Sequence, residues 1–333
     1  MLRLPRFSYL RPASVAEAVA MLADHGDRSS VIAGGTDLLP KMKRRQVQPT
    51  VLVGIAHLEA LSHLETTPSG AVEIGASRTL ASVLKDDELA HHQSGYVQAA
   101  GLVSSPALRN AGTVGGNLCV DTRCNYYDMS EEWRTASGSC LKTGGELCRL
   151  APSSPRCWAI SSSDTAPIAV ALGATAVVAG PEGEREVPVA SLYRDDGNAH
   201  LVLGRGEILT RLRLPAPDGW RSSYVKLRRR SSMDFPLAGA AVALKIDRGV
   251  VEGCRLVLGA VASQPVELND LVHGLVGQPL DEEAIEEVAS RASRLAKPLD
   301  NADLSYVWRK RMVKEIVARA FREAATSEVA AAP

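Results

Sequence analysis

Aromatic side chains are scarce in this sequence, with three Phe, seven Tyr and four Trp among 333 residues. The core therefore has to be built from Val, Leu, Ile and Ala. Net charge is absent as well, since 38 Lys and Arg face 38 Asp and Glu. That balance excludes a strongly basic nucleic-acid binder, whose affinity rests on neutralising phosphates. No apolar run approaches the roughly 18 residues of a membrane-spanning helix. The start, MLRLPRFSYLRP, lacks the apolar stretch of a secretory signal, so the expected compartment is the cytoplasm. Nucleophile patterns of the Ser/His/Asp or Cys/His kind are missing too. His57, His63, His91, His92 and His200 form no H-x-x-x-H and no metal pair with a cysteine.

Apolar residues nevertheless reach 45% and charged residues 23%, which excludes disorder as the main state. The length suggests two or three domains. The first segment reads β-α-β: Ser14 and Glu17 form a capping box, and Val15, Ala18, Val19 and Leu22 share one helical face. Gly26 sits at the C-cap position. Strands are expected at 30–33, 50–55, 71–75, 174–178 and 207–214, with helices at 38–45, 79–84, 88–103 and 164–173. Pro215 to Gly219 reads as a linker. Beyond it, strands at 224–228, 238–246 and 250–261, with a turn at Asp247-Arg-Gly249, precede helices at 281–296 and 302–325. The alanine-rich tail after Thr326 reads as frayed. No internal repeat is present.

Two glycine passages carry possible chemistry. Ala33-Gly34-Gly35-Thr36-Asp37 follows a strand, and its bare backbone can fold into a nest of inward N–H groups. Thr113-Val114-Gly115-Gly116-Asn117 repeats the same residue types. Either alone is equally an ordinary turn, and neither is a Rossmann or P-loop fingerprint. Together they suit a ligand with two linked phosphates. Asp164 starts a helix, as an N-cap or as an acceptor for ligand hydroxyls. Lys226, on a strand, points to a flavin ring or phosphate, or is a solvated strand end.

Cysteine is the unevenly spread residue. Five of six lie in one segment, and Cys124, Cys140, Cys148 and Cys157 are separated by 15, 7 and 8 residues. Four thiolates close a tetrahedral zinc site or hold a [4Fe–4S] cluster. Neither C-x-x-C knuckles nor ferredoxin spacing is present, so spacing leaves the metal undecided, and reduced cysteines that hold no metal stay open as a reading. Cys119 is expected to line the dinucleotide site, and Cys254 to act as a small buried hydrophobe.

The two glycine passages, Asp164 with Ala171-Leu-Gly-Ala174, and Lys226 resemble, in that order, the FAD-binding subunits of the xanthine dehydrogenase (molybdenum hydroxylase) family. The likeness runs from about residue 5 to 325. It implies an α+β fold with FAD-binding subdomains at 1–55 and 56–215. A C-terminal α/β domain at 219–325 would add a three-stranded antiparallel sheet and helices. It implies FAD bound at Ala33, Gly34, Gly35, Thr36, Asp37, Thr113, Gly115, Gly116, Asn117, Asp164 and Lys226. No catalytic residue is expected in this chain. A molybdopterin-containing large subunit and a [2Fe–2S] small subunit are the implied partners, in a dimer of heterotrimers.

One departure stands out. Between Asn117 and Asp164 lie 46 residues, an insertion (about 119–160) that carries the four cysteines. Insertion site, cysteine count and Tyr126-Tyr127 resemble the β subunits of the 4-hydroxybenzoyl-CoA reductase branch. That likeness implies a [4Fe–4S] cluster on Cys124, Cys140, Cys148 and Cys157. It also implies electrons from reduced ferredoxin, passed through cluster and FAD to the partner's clusters and a molybdenum site that dehydroxylates 4-hydroxybenzoyl-CoA to benzoyl-CoA. The alternative is the FAD subunit of an oxidising relative, an aldehyde, xanthine or carbon monoxide dehydrogenase.

Overall fold

The chain starts with a small parallel sheet, because its first three strands are linked by crossovers rather than hairpins. The computed structural model describes residues 3–327; the end of the tail, residues 328–333, lies outside them. β1 (Ser8–Leu10), β2 (Ser29–Ile32) and β3 (Val51–Gly54) pair in the order β1-β3-β2. Helix α1 (Val15–His25) starts at Ser14, whose hydroxyl accepts from Glu17 N, while Glu17 accepts from Ala13 N at 2.6 Å. Ala18, Val19 and Leu22 are buried, as their spacing predicts. Helix α2 (Leu38–Lys43) follows the first glycine turn.

The second sheet is antiparallel, in the order β4-β5-β8-β6-β7. Its strands are β4 (Leu64–Thr66), β5 (Val72–Gly75), β6 (Thr175–Gly180), β7 (Gly183–Pro188) and β8 (Ile208–Leu214). Between β5 and β6 come α3 (Leu80–Val83), α4 (Asp87–His92), α5 (Ser94–Leu102), α6 (Pro106–Arg109), α7 (Val114–Leu118), α8 (Glu131–Ala136) and α9 (Thr165–Leu172). The single helix expected over 88–103 is two. Gln93 breaks it by leaving the helical conformation (φ −132°, ψ 46°), and its buried side chain donates through Nε2 to Pro215 O at 2.7 Å. Helix α9 is buried from Thr165 to Ala171, as an all-apolar helix must be. It stops at Gly173 in the left-handed conformation.

The third sheet runs β12-β11-β10-β9, with β9 (Trp220–Leu227), β10 (Ala238–Asp247), β11 (Val250–Gly259) and β12 (Val266–Glu267). It has four strands where three were expected, because two-residue β12 is too short to carry a period. Arg248 and Gly249 both have positive φ, the signature of a type I′ hairpin turn. Both faces of this sheet are covered. Ala241 and Ala243 enter the core shared with α9 and the second sheet, whereas Ala240, Val242 and Leu244 enter the C-terminal core. That explains why β10 reads as a continuous apolar run. After α10 (Asn269–Val272), α11 (Glu282–Leu295) and α12 (Tyr306–Thr326) close the outer face. Among the described residues no helix is long and apolar enough to cross a membrane.

Candidate cofactor sites

The two glycine passages meet. A methyl group on Gly34 would lie 1.9 Å from Ala111 O, so only glycine lets the turn back onto the second passage. Gly35 has φ +67°, the left-handed region that glycine enters freely. The N–H groups of Gly34, Gly35 and Thr36 have no acceptor among the described residues, and the turn from Ala33 to Asp37 is half-buried. Free donors in a half-buried nest fit a phosphate.

The second passage works differently despite its matching composition. Val114 N donates to Arg78 O, Gly115 N to Ala76 O, and Gly116 N to Thr113 Oγ1. A methyl group on Gly115 would lie 2.7 Å from Ala76 Cβ, so this glycine serves close packing. The N–H groups of Val114, Gly115, Gly116 and Asn117 are thus spent on the fold. Thr113 caps α7, and Asn117 accepts from Ser163 Oγ, Thr165 N and Thr165 Oγ1 at 2.9, 3.2 and 2.7 Å, fixing the start of α9.

Asp164 and Lys226 are brought to each other. Asp164 Oδ2 accepts from Lys226 Nζ at 2.7 Å and Oδ1 from Tyr224 O–H at 3.0 Å. Lys226 Nζ also donates to Leu102 O at 2.9 Å. Burial raises the Asp164 carboxyl and lowers the Lys226 ammonium, each against the pull of its partner.

The four cysteines of the insertion, spread from position 124 to 157, line one cavity. Tyr126, Tyr127, Lys142 and Arg149 are among the other residues of its wall. Among the described residues, no three metal-binding side chains are close enough to hold a single ion; the thiols ring the cavity instead. Donors are aimed at their sulfurs: Thr143 Oγ1 lies 3.6 Å from Cys140 Sγ, and Ala159 N 3.4 Å from Cys157 Sγ. Without metal, burial pushes the Cys124 thiol up to about 12, against N–H groups of Tyr126 and Tyr127, and Cys157 to about 11. A polynuclear iron–sulfur cluster, which takes thiolates spread around it, fits this donor set. Cys119 lies outside the cavity, on the edge of the central core, and Cys254 packs against the C-terminal core.

Sequence spacing missed the residues that hold the insertion in place. Asp121 bridges Lys41 Nζ (2.6 Å) and Lys142 Nζ (2.7 Å), and Lys41 also reaches Asp37 (3.0 Å) in the glycine turn. Burial would raise the Asp121 carboxyl, yet the two lysines outweigh it and hold it well below the carboxylate range. His200, 3.7 Å from Asp121, is pushed down to about 4 by burial. Arg134, buried in α8, donates to the carbonyls of Arg44, Arg45, Tyr127 and Met129. The only sequence signal for any of these was Lys142, two residues after Cys140.

Comparison with known proteins agrees with this geometry. Residues 5–217 match the FAD binding domain in molybdopterin dehydrogenase, and residues 222–324 the CO dehydrogenase flavoprotein C-terminal domain. The chain is 32% identical to the aldehyde oxidoreductase FAD-binding subunit PaoB of Escherichia coli K12, over 78% of this chain and 82% of that one. It is 26% identical to the glyceraldehyde dehydrogenase medium chain of Sulfolobus acidocaldarius, over 96% and 99% of the two chains. Reconstituted CO dehydrogenase from Oligotropha carboxidovorans superposes with a TM-score of 0.80 at 27% identity, covering 97% of this chain and 98% of that one. With both regions matched in order on the observed fold, the chain belongs to the molybdenum hydroxylase family, as one of its FAD-binding subunits.

Proposed function

We propose that this chain is the electron-transfer subunit of a molybdenum-dependent oxidoreductase, holding FAD at the first glycine turn and a [4Fe–4S] cluster in the insertion. The observation that carries the cluster is the convergence of Cys124, Cys140, Cys148 and Cys157 on one cavity. When bound, FAD supplies one- and two-electron chemistry and the cluster a one-electron carrier. The chain's own part is to hold and orient. The free N–H groups of Gly34, Gly35 and Thr36 cradle a phosphate, Thr113 and Asn117 order the neighbouring helices, and the buried Asp164–Lys226 pair ties the start of α9 to β9. Substrate chemistry would lie in a molybdopterin-containing partner, with [2Fe–2S] clusters in a small one, and the reaction in the oxidising direction with an aldehyde as substrate. Support for that direction comes from the aldehyde-oxidising names of two relatives.

A second reading, ferredoxin-driven reduction of 4-hydroxybenzoyl-CoA, is favoured by the position of the cysteine insertion and its flanking tyrosines. The co-purified complex separates the two. Aldehyde oxidation with an artificial acceptor, without reduction of 4-hydroxybenzoyl-CoA, supports the first; the opposite pattern supports the second. Anaerobic protein with zinc instead of iron and acid-labile sulfide defeats the cluster assignment in both.

A further inference from the structure

The cysteine cavity has a one-sided wall. Among the described residues its charged lining is Lys142 and Arg149, both cationic, with no carboxylate. Lys142 is the more constrained of the two. Its side chain is 5% exposed, and its ammonium donates to Asp121 Oδ1 (2.7 Å), Thr122 Oγ1 (2.9 Å) and Gly197 O. Three acceptors exhaust the three N–H groups of an ammonium. Lys142 therefore has no hydrogen left for a sulfur, and whatever it does for the cavity it does as a fixed charge. That charge also sits 5.0 Å from the centre of the Tyr127 ring, itself part of the cavity wall.

Asp121 does not cancel the charge. Its two oxygens are divided between Lys142 and Lys41, and Lys41, 3% exposed, lies 5.7 Å from the same Tyr127 ring. Two buried ammonium groups share one fully engaged carboxylate. Asp37, the next acid along, is 28% exposed and shared with Arg123. Asp128, the third carboxylate near Tyr127, is paired with Arg44, so Lys41, Lys142, Arg123 and Arg44 face three acids and leave one positive charge in surplus on that side of the cavity.

We propose that Lys142, positioned by Asp121, sets the reduction potential of the group in the cysteine cavity by offsetting the negative charge that group gains with each electron. The proposal rests on the cluster reading above. One electron from a low-potential donor makes a four-thiolate cluster one unit more negative and takes up no proton. A fixed cation beside it stabilises the reduced form over the oxidised form and raises the potential. Lys142 is a positioning and charge-setting residue, since it touches neither substrate nor the reacting atoms.

The test is a dithionite titration of the assembled holoenzyme with redox mediators, followed by optical and electron paramagnetic resonance spectra. Wild type is compared with Lys142→Gln, Lys142→Arg and Asp121→Asn. Lys142→Gln is expected to keep iron, sulfide and FAD contents and to lower the cluster's one-electron reduction constant about tenfold, a shift of about 59 mV to more negative potential. Lys142→Arg, which keeps the charge, restores the wild-type potential. Asp121→Asn removes the neutralising partner and moves the potential the other way, to more positive values, so it decides the matter if Lys142→Gln fails to fold. Iron present with an unchanged cluster potential in Lys142→Gln, or a negative or null shift in Asp121→Asn, overturns this proposal alone. Wild-type protein without iron and sulfide overturns the cluster reading on which it stands.

Discussion

Asp164 and Lys226, 62 residues apart in sequence, meet at 2.7 Å with side chains only 3% and 1% exposed. The pair ties the start of α9 to β9, and so joins the second subdomain to the C-terminal sheet. Removing one partner of a buried pair strands the other charge. Lys226→Met is expected to cost about 3–5 kcal/mol, read as a lowered midpoint in denaturant. Adding Asp164→Asn recovers part of that loss. If the double variant is no more stable than the single one, the stranded carboxylate is not the source of the cost.

Gly35 carries a second prediction. A β-branched residue at its positive φ is strained by about 1–3 kcal/mol, and its Cβ would press on Leu39 Cδ1 at 3.1 Å. Gly35→Val should therefore purify with depleted flavin and a lower melting temperature. Gly35→Asn, whose side chain tolerates the left-handed region, should retain more of both. Equal flavin content in all three proteins would remove the turn from the binding site.

Cys148→Ser is expected to lose most of its iron while FAD stays bound, because the free donors of the glycine turn belong to another segment. Cys254→Ala, in the C-terminal core, keeps full iron. Colorimetric iron and flavin spectra on anaerobic protein measure both, and unchanged iron in Cys148→Ser would exclude that residue as a ligand.

His200 makes stability depend on pH. It folds in neutral form with its pKa pushed down to about 4 from 6.5, so between those values the unfolded chain binds the extra proton. Stability then falls as pH drops from 6.5 towards 4, by up to about 3 kcal/mol at 1.36 kcal/mol per unit. His200→Gln keeps a donor for Val120 O and has no proton to gain, so its stability should be flatter over that window. Parallel urea denaturation at several pH values tests it; identical slopes for both proteins would exclude His200.

Arg134 anchors the insertion on the turn after α2 through the carbonyls of Arg44 and Arg45. Arg134→Met leaves the part-buried carbonyls of Arg44, Arg45 and Met129 without this donor, at about 1–3 kcal/mol. The expected result is faster proteolytic cleavage within 128–150, with the C-terminal sheet still protected. Cleavage spread evenly along the chain would instead indicate global destabilisation.

Local signals account for the part of the fold that is legible in the sequence. Ser14, Asp281 and Ser305 cap their helices through their side chains, and Val313, Ile316, Val317, Ala320 and Phe321 are buried where their period places them. Glycine-rich passages and clustered cysteines are visible as composition. Strand β7 is not, because Gly183–Pro188 is a charged, mostly exposed edge whose arginine and glutamates reach across β6 to Glu207, Arg211 and Arg213. Helix α8 and the Lys41–Asp121–Lys142 chain are equally silent: Asp121 finds Lys41 across 80 residues, and no periodicity encodes such a meeting. Matching composition in the two glycine passages also conceals that one keeps its N–H groups free and the other spends them.

The insertion is finished by a residue made long after it. Asn301 donates through Nδ2 to Trp158 O, 143 positions earlier, and its own carbonyl accepts from Asn125 N. The same side chain receives Arg309, buried among the carbonyls of Leu237, Ala260 and Leu299. On the ribosome, the cysteine segment emerges while this clasp is still untranslated, and chains fold from the N-terminal end first. Asn125 and Trp158 therefore stay without this contact until synthesis has passed the third sheet. A chain that ends before Asn301 lacks this clasp, and its 125–158 segment is expected to be cut by protease faster than in the full chain.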